Sequence, residues 1–404
     1  MSFDAERARR RFPALDQGWV LMDNAGGSAV LDSVADRVAE YMRTTPVQLG
    51  ASYALSQLAV ERQRQAAADT ATLINAATPD EIVFGPSSSS LLSRLARAIA
   101  SQIGPGDEII VSEADHESNI TPWMRLAERG AVIRLWPVDA EAGRLDPDAL
   151  DQLLNERTRL VCMGHTSNIL GAAEPVSDVA HKVHAAGARL VVDGVAWAPH
   201  RLTDVRACGA DFYVFSGYKV FGPHMAVLYG KTDQLRALDN INLEFLGREA
   251  VPYKLQPGGY CYEAAYGFGA VLDYLLEQAP HGETPREKLA AAWQAMAAHE
   301  SRLTARLLDY LNGRDDATVH GPRVADPEVR LPIVSFSIAD RDSADIVSAV
   351  DAEKIGIRFG DFHARRLIKR LGLQDRNGVV RVSMAHYNTV AEVERLIGVL
   401  DRIL

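Results

Sequence analysis

Residues 189–223 read Arg-Leu-Val-Val-Asp-Gly over positions 189–194 and, after a loop, Asp-Phe-Tyr-Val-Phe-Ser-Gly-Tyr-Lys-Val-Phe-Gly-Pro over positions 211–223. Each half begins with an apolar, β-branched run of strand length that stops at a polar residue. Two buried strands are therefore predicted, the first ending at Asp193 and the second leading to Lys219. Because open α/β sheets bind ligands at the carboxyl ends of their strands, this acid and this amine would meet at a ligand site.

The pair Asp193 and Lys219 suits the chemistry of pyridoxal phosphate. That cofactor needs an amine to hold its aldehyde as a Schiff base, and a carboxylate to keep its pyridine nitrogen protonated. Taken alone, Asp193 is better explained as a turn cap and Lys219 as a solvated lysine at a strand end. Their joint placement favours the cofactor.

Apolar runs of strand length alternate with amphipathic segments from about residue 70 to residue 230. The runs cover residues 81–84, 108–111, 132–135, 160–163, 190–192, 212–215 and 226–229. The alternation predicts crossover units and a mainly parallel sheet covered on both faces. The predicted fold class is therefore α/β.

A second unit is predicted after the glycine-rich stretch at residues 256–259. A long helical pattern runs from residue 285 to about residue 311, and strand-like runs with a closing amphipathic helix follow it. We expect a large domain over residues 20–280 with a mainly parallel seven-stranded sheet. A small α+β domain would take residues 281–404, with residues 1–19 packed on it.

The composition is that of a soluble enzyme. The chain has 404 residues, of which 47% are hydrophobic and 24% charged, and its net charge of −10 argues against a nucleic-acid partner. No apolar run approaches the ~20 residues of a membrane span, and the N-terminus has no signal core. Cys162, Cys208 and Cys261 have no metal-like spacing and are odd in number. We expect a cytoplasmic protein without metal, nucleic-acid or membrane partners.

Four serines, residues 87–90, follow a predicted strand and open a predicted helix. Ser88 and Ser89 would there offer hydroxyl and backbone N–H donors to an anion at the positive end of the helix dipole. Serine is also favoured at helix starts whether or not anything binds, so a plain N-cap explains the run equally well. Ser216, three residues before Lys219, would bring a further hydroxyl to the same phosphate.

Two more polar residues follow predicted strands. His116 could stack its imidazole on the cofactor ring and move protons near neutral pH, although a histidine in a polar loop is more often solvated. Asn168 could bond the ring oxygen beside the Schiff base, or satisfy its own backbone as a turn asparagine.

Five motifs occur in a fixed order along the chain. They are Asp-His-Glu-Ser-Asn-Ile-Thr-Pro-Trp (115–123), Thr-Ser-Asn-Ile-Leu-Gly (166–171), Val-Asp-Gly (192–194), Phe-Ser-Gly-Tyr-Lys-Val-Phe-Gly-Pro (215–223) and Val-Arg-Val-Ser-Met-Ala-His-Tyr-Asn-Thr (380–389). Together they resemble class V aminotransferase-fold enzymes, and most of all the cysteine desulfurase-like group of the cysteine desulfurase and selenocysteine lyase branch. The match starts at residues 21–25 and reaches the C-terminus. It implies the pyridoxal phosphate-dependent transferase fold of type I.

The resemblance implies a role for each residue around the cofactor ring. Lys219 would form the internal aldimine, and Asp193 would pair with the pyridinium nitrogen. His116 would lie on the ring face and Asn168 near the ring oxygen. Ala196 stands where desulfurases carry a glutamine near that oxygen, so one ring contact is missing.

The same resemblance assigns the cofactor phosphate to Ser88, Ser89 and Ser216. Tyr218 replaces the histidine usual before the lysine and keeps a polar donor toward the phosphate. Gly259 aligns with a phosphate-binding threonine donated by the other subunit, so that contact would be a backbone N–H or be absent. A homodimer is expected, with residues 48–53 and 258–259 aligned to the loops that act across it.

The substrate side of the site is implied by two arginines. Arg381 aligns with the arginine that grips the substrate carboxylate, which a planar guanidinium can hold through two parallel hydrogen bonds. The alternative is a surface arginine on a strand. Arg358 aligns with a second arginine at the site mouth, and Asn24 is expected among the substrate-binding residues.

One departure from the family pattern concerns sulfur. His363 aligns with the mobile-loop cysteine that receives sulfur in desulfurases of this branch, and none of the three cysteines lies nearby in sequence. Formation of a persulfide needs a thiolate near the substrate sulfur, which histidine cannot supply. His363 could instead be a mobile acid, or a loop residue that points to water.

We therefore predict a pyridoxal phosphate enzyme that acts on a small α-amino acid through an external aldimine, with Lys219 as the base that takes the α-proton. It would be desulfurase-like but lack the persulfide cysteine. A class V aminotransferase, an epimerase and a decarboxylative carbon–carbon bond enzyme fit the same residues. A non-catalytic cofactor-binding module is a remote alternative, and the lack of a Gly-x-Gly-x-x-Gly after the early strands argues against a nicotinamide enzyme.

Overall fold

The computed structural model describes residues 3–404 of the chain. Within that range the strands are β1 (Val20–Leu21), β2 (Ile82–Gly85), β3 (Glu108–Ser112), β4 (Val132–Trp136), β5 (Val138–Asp139), β6 (Arg144–Leu145), β7 (Thr158–Gly164), β8 (Arg189–Asp193), β9 (Phe212–Ser216), β10 (Ala226–Gly230), β11 (Ala317–His320), β12 (Ile333–Ile338), β13 (Ile355–Gly356), β14 (Arg358–Gly360) and β15 (Val379–Ser383).

The α-helices of the same range are α1 (Ala5–Arg9), α2 (Asp32–Thr44), α3 (Ala54–Ile74), α4 (Ser88–Ile99), α5 (Thr121–Met124), α6 (Pro147–Leu153), α7 (Val176–Ala185), α8 (Thr232–Ala237), α9 (Tyr262–Glu277), α10 (Pro285–Asn312), α11 (Ser343–Asp351), α12 (Arg365–Arg370) and α13 (Val390–Ile403). Two of them begin with a capping box: Thr284 pairs with Glu287 at α10, and Thr389 with Glu392 at α13. Such reciprocal caps satisfy backbone donors that a helix start leaves free.

The main sheet has seven strands in the order β2-β10-β9-β8-β7-β3-β4. The strands from β9 to β4 run parallel, whereas β10 runs antiparallel to both of its neighbours. Its strands are the seven runs that the sequence predicts, so the predicted α/β fold with a mainly parallel seven-stranded sheet is confirmed.

Successive residues of these strands point to opposite faces of the sheet, and both faces are buried except at the edge strand β4, where Val132 and Leu135 are 42% and 40% exposed. Val83, Ile109 and Val214 contribute to one core, and their neighbours Phe84, Ile110 and Phe215 contribute to the other. Burial on both sides explains why the strands are apolar throughout rather than alternating. Polar side chains can therefore cluster at the carboxyl ends of the strands, where the apolar runs stop.

A second, four-stranded antiparallel sheet has the order β11-β12-β15-β14, and its own apolar core includes residues of α10, α11 and α13. Strand β1 pairs in parallel with β13. The N-terminal segment contacts more than this unit, because the Phe12 ring lies 5.7 Å from the ring of Phe221 and 4.7 Å from that of Tyr387. The domain boundaries at residues 20 and 281 therefore stay a prediction.

No helix formed by residues 3–404 is both long enough and apolar enough to cross a membrane.

Candidate active site

A cavity with an empty volume of about 580 Å³ lies at the carboxyl ends of the main-sheet strands. Eight of the thirteen residues expected to bind the cofactor or the substrate line it: Ser88, Ser89, His116, Asn168, Asp193, Ser216, Tyr218 and Lys219. The other five, Asn24, Gly259, Arg358, His363 and Arg381, are not among the residues that line it. Parallel strands deliver these side chains to one edge because their carboxyl ends coincide there.

Lys219 and Asp193 come from neighbouring strands of the sheet. Asp193 ends β8 in register with Val214 of β9, and Lys219 closes the short 3₁₀ turn Gly217–Lys219 that follows β9. Burial raises the pKa of Asp193 to about 6, while the Val195 N–H that its Oδ1 accepts at 2.9 Å opposes the shift. Burial and the charge of Arg381 lower the pKa of Lys219 to about 8. A lysine in this state supplies a neutral amine more readily than an exposed one.

A packed aromatic group that the sequence did not reveal lies against Gly194, the residue after Asp193. A Cβ on Gly194 would lie 2.1 Å from the Tyr213 ring, so only glycine fits after the acid. The Tyr213 hydroxyl lies 2.9 Å from His165 Nδ1, and the His165 ring stacks on Trp197 at 3.7 Å. Burial lowers the pKa of His165 to about 3, so this ring is neutral and serves as packing.

A serine cluster, Ser87–Ser89 with Ser216, forms a hydroxyl-lined corner of the cavity. Ser87 caps α4 by accepting the Ser90 N–H at 3.2 Å, and Ser88 is the first residue of that helix. The Ser88 and Ser216 hydroxyls lie 2.8 Å apart although the two residues are 128 positions apart in sequence. Hydroxyls and free N–H groups at a helix start are the donors that a phosphate group needs.

Tyr218 lies beside this corner and is steadied by a stacked neighbour. Its ring is parallel to that of His224, with the ring centroids 4.8 Å apart. Burial raises the pKa of Tyr218, and a hydrogen bond with Ser216 opposes that shift. The phenol therefore stays protonated and keeps a donor at the serine cluster.

His116 and Asn168 also line the cavity. His116 Nδ1 accepts the Ser118 N–H at 3.0 Å, and burial together with the charge of Lys219 lowers the pKa of His116 to about 4. Asn168 Nδ2 donates to the Phe362 carbonyl at 3.0 Å. Within residues 3–404 the buried Asn168 Oδ1 and Thr166 Oγ1 have no hydrogen-bond partner. A buried polar atom without a partner is costly, which marks this wall as one that a ligand completes.

Asp115 is a lining residue that the sequence analysis quoted only within a motif. Its Oδ1 accepts the Gly164 N–H at 2.9 Å and its Oδ2 accepts Asn119 Nδ2 at 2.7 Å. Burial raises the pKa of Asp115 to about 7, and the charge of Asp193 adds to that shift. The sequence signal that could have identified Asp115 is its position directly before His116.

Arg381 lies in the middle of β15 and is 2% exposed. Its Nη1 donates to the Asn168 carbonyl at 3.1 Å, its Nη2 lies 3.2 Å from Asp23 Oδ1, and burial lowers its pKa to about 10. The second oxygen of Asp23 lies 2.6 Å from Nη2 of Arg358, which is 56% exposed at its side chain. Asp23, which the sequence analysis missed, thus joins the two arginines.

His363 is exposed on the loop between β14 and α12. Its ring centroid lies 5.1 Å from that of His116, its carbonyl accepts the Glu117 N–H at 2.8 Å, and its own N–H donates to Asp361 Oδ1 at 2.9 Å. The loop is thus anchored to the segment that carries His116.

Asn24 and Gly259 have their hydrogen-bonding groups engaged by protein. Asn24 is buried, and its side-chain amide bonds the Ser383 carbonyl, Asn388 Oδ1 and the Tyr387 hydroxyl. The Gly259 N–H donates to the Gln256 carbonyl at 2.9 Å. Within one chain, therefore, neither the Asn24 side-chain amide nor the Gly259 N–H directs a donor to the cavity.

None of the three cysteines, all within the described range, lines the cavity. Cys162 is buried in β7, where burial raises its pKa well above the usual range. Burial also raises the pKa of Cys208 to about 11 and that of the exposed Cys261. A thiol with a raised pKa is a poor nucleophile.

The residues present fit pyridoxal phosphate. A lysine amine with a lowered pKa, a carboxylate at the next strand end, a hydroxyl-lined helix start and a wall with unpartnered buried polar atoms meet in one cavity. These match the aldehyde, the ring nitrogen, the phosphate and the ring substituents of that cofactor.

Known proteins resemble this chain over its whole length. The family model described as aminotransferase class-V matches residues 20–396. The aminotransferase-like protein FGM3 of Gibberella zeae is 42% identical over 100% of this chain and 99% of its own length. The cysteine desulfurase-like protein ustD of Aspergillus flavus is 32% identical over 99% of this chain and 91% of its own length. The crystal structure of the Escherichia coli cysteine desulfurase CsdA superposes with a TM-score of 0.85 at 27% identity, covering 100% of this chain and 98% of that one.

Proposed function

The chain belongs to the class V aminotransferase family and is cysteine desulfurase-like within it. From this family membership we propose that it acts on a small α-amino acid without passing sulfur to a cysteine of its own. It is a pyridoxal phosphate-dependent enzyme, as the motifs predicted. The observation that carries the proposal is the meeting of Lys219, Asp193 and the Ser88–Ser216 pair in one cavity.

When bound, pyridoxal phosphate supplies an aldehyde that links to amines and a protonated ring that accepts electrons from the substrate α-carbon. Lys219 Nζ would hold the aldehyde at rest and, once the substrate amine has displaced it, take the α-proton as a base. Burial lowers the pKa of Lys219 to about 8, which favours the neutral amine that a base needs. Asp193 would accept the hydrogen bond of the pyridinium and keep the ring charged.

Arg381 is proposed to bind the substrate α-carboxylate. Its guanidinium is buried at the wall formed by Asn168, and within residues 3–404 its Nε has no partner. A buried N–H donor without a partner is suited to a carboxylate oxygen. Arg358, exposed beside Asp23, is proposed to lie at the entrance.

The proposal that no internal persulfide forms rests on thiol positions. His363 occupies the loop position at which desulfurases of the branch carry the acceptor cysteine, and the three cysteines lie elsewhere with raised pKa values. Any sulfur or other β-substituent released from a substrate would then leave to solvent or to a separate acceptor. His363, 5.1 Å from the His116 ring, is proposed as an acid at the mouth.

An aminotransferase is the second candidate, because a relative at 42% identity is named an aminotransferase-like protein. The two candidates share the residues described above. They would differ in what leaves the substrate, the amino group in a transamination and a side-chain substituent in an elimination.

A homodimer is also proposed. Leu49 and Gly259, from the two segments expected to act across the dimer, line one surface cleft with an empty volume of about 1440 Å³. Tyr253 in that cleft is 46% exposed, and nearby in sequence Phe245 is 81% exposed. Apolar surface of this kind supports a second copy as partner. A cytoplasmic location is proposed as well, and the free cysteines support a reducing compartment.

The test is a screen of amino acids against the cofactor-loaded protein, followed by mass spectrometry of the products. Amino acids that change the visible spectrum and release a keto acid without forming pyridoxamine phosphate would support an elimination. Accumulation of pyridoxamine phosphate would move the assignment to an aminotransferase. Lys219→Ala should lose the borohydride-reducible band, and retention of that band would refute the role of Lys219.

A further inference from the structure

We propose that Phe362 is a positioning residue for the substrate carboxylate, because its ring fixes the plane of the Arg381 guanidinium. The Arg381 Cζ atom lies 3.7 Å from the centroid of the Phe362 ring. This inference rests on the proposed function, in which Arg381 binds the α-carboxylate.

The guanidinium is held on its edges as well as on its face. Nη1 donates to the Asn168 carbonyl and Nη2 contacts Asp23, while Nε has no partner among residues 3–404. A planar guanidinium donates only in its own plane, so fixing that plane determines where a carboxylate can bind. The Phe362 ring blocks rotation out of the plane on the side it covers.

Phe362 is itself held in place by backbone contacts. Its carbonyl accepts Asn168 Nδ2 at 3.0 Å, and the following carbonyl, that of His363, accepts the Glu117 N–H at 2.8 Å. Phe362 and His363 have φ angles of 48° and 59°, a left-handed conformation that residues with a Cβ rarely adopt. Two such residues in succession persist only where surrounding contacts determine the conformation, so the backbone that carries the Phe362 ring is fixed.

The ring affects carboxylate binding in two physical ways. An aromatic face attracts a cation through its quadrupole, and the attraction grows when water is excluded. The ring also keeps water from one side of Arg381, which strengthens the interaction of the guanidinium with a carboxylate. Loss of the ring should therefore weaken the binding of substrates that carry an α-carboxylate, and leave the binding of amines without one unchanged.

The experiment compares Phe362→Leu, Phe362→Tyr and the neighbouring control Phe359→Leu. Dissociation constants for L-alanine, L-cysteine and L-aspartate, and for L-alaninamide, are measured from the spectral change of the cofactor. Phe362→Leu should raise the constants for the three amino acids about tenfold and that for the amide less than twofold. Phe362→Tyr and Phe359→Leu should stay within about threefold of the unchanged enzyme, and the cofactor band should be the same in all four proteins.

Arg381→Gln separates failure of this inference from failure of the proposed function. If Arg381→Gln weakens the amino acids selectively but Phe362→Leu does not, or if Phe362→Leu weakens the amide equally, the role of Phe362 is refuted and the function stands. If Arg381→Gln has no selective effect, or if none of the three amino acids changes the spectrum of the unchanged enzyme, the proposed function is overturned.

Discussion

The carboxylate of Asp23 contacts the guanidinium of Arg381 at 3.2 Å, although 357 residues lie between them in the chain. Arg381 is almost fully buried, and Asp23 is the acidic group that pairs with it among the described residues. A buried cation that loses its counter-ion is strongly destabilising, because the remaining charge stays without compensation. The pair therefore stabilises the junction between β1, β15 and the cavity wall.

We expect Asp23→Asn to lower the free energy of unfolding of the cofactor-free protein by about 3 kcal/mol. Asp316→Asn is the control, because Asp316 and its partner Arg314 are both partly exposed and solvent screens such a pair, so its loss should have a much smaller effect. Denaturant unfolding of the two variants checks this. Equal effects would mean that Arg381 finds another partner or that water reaches it.

Asp115 and Asp193 are two carboxyl groups buried at one end of the sheet, and both have raised pKa values. A carboxyl whose pKa is raised on folding contributes its full stability below the unfolded pKa, near 4, and loses it as pH rises through the folded pKa. For Asp115 that window runs from about pH 4 to about pH 7. In this window the folded state binds more protons than the unfolded state, so stability falls as pH rises.

The variant Asp115→Asn should lack this component of the pH dependence. The free energy of unfolding of the variant minus that of the unchanged apoprotein should increase by up to about 4 kcal/mol between pH 4 and pH 8. Unfolding curves across that range provide the measurement. A constant difference between the two proteins at every pH would show that Asp115 titrates alike in both states.

The phosphate assignment predicts a selective loss of affinity in Ser88→Ala and Ser216→Ala. Each variant removes one hydroxyl of the 2.8 Å pair, and a hydrogen bond to a charged group is worth roughly 1.5–3 kcal/mol. The dissociation constant for pyridoxal phosphate should therefore rise about tenfold or more, and that for pyridoxal should not change. Ser90→Ala, on the same helix turn but outside the cavity lining, is the matched control. A similar loss with pyridoxal would place these hydroxyls against another part of the cofactor.

The sequence predicted the strands and the cavity residues that directly follow them, because each depends on a local pattern. Asp193 ends one apolar run and Lys219 closes the short turn after the next, and parallel pairing brings such strand ends together. The contacts of Asp23, Phe362 and the stacked His165 were not predictable in this way. These contacts join segments far apart in the chain, and hydrophobic periodicity does not predict which loop will cover which side chain. The side chain of Asn24 likewise has no free hydrogen-bonding group, because it bonds three partners near residue 385 that are distant in sequence.

The last prediction concerns sulfur. Given L-cysteine, the protein should accumulate no persulfide, because Cys162 is enclosed in β7 and Cys208 and Cys261 lie away from the cavity with raised pKa values. A thiolate within reach of the substrate sulfur is required, and the loop offers His363 instead.

The variant His363→Cys provides the positive control, because it puts a thiol on the exposed loop beside His116. Intact-protein mass spectrometry after incubation with L-cysteine should show the added mass of one sulfur atom in this variant, removable by a reductant, and none in the unchanged protein. If L-cysteine is a substrate, sulfide should appear in solution with the unchanged protein, and with the variant once a reductant cleaves the persulfide. A sulfur adduct on a native cysteine that forms and decays during turnover would contradict the prediction, since it would require that thiol to reach the site by a movement of the surrounding chain.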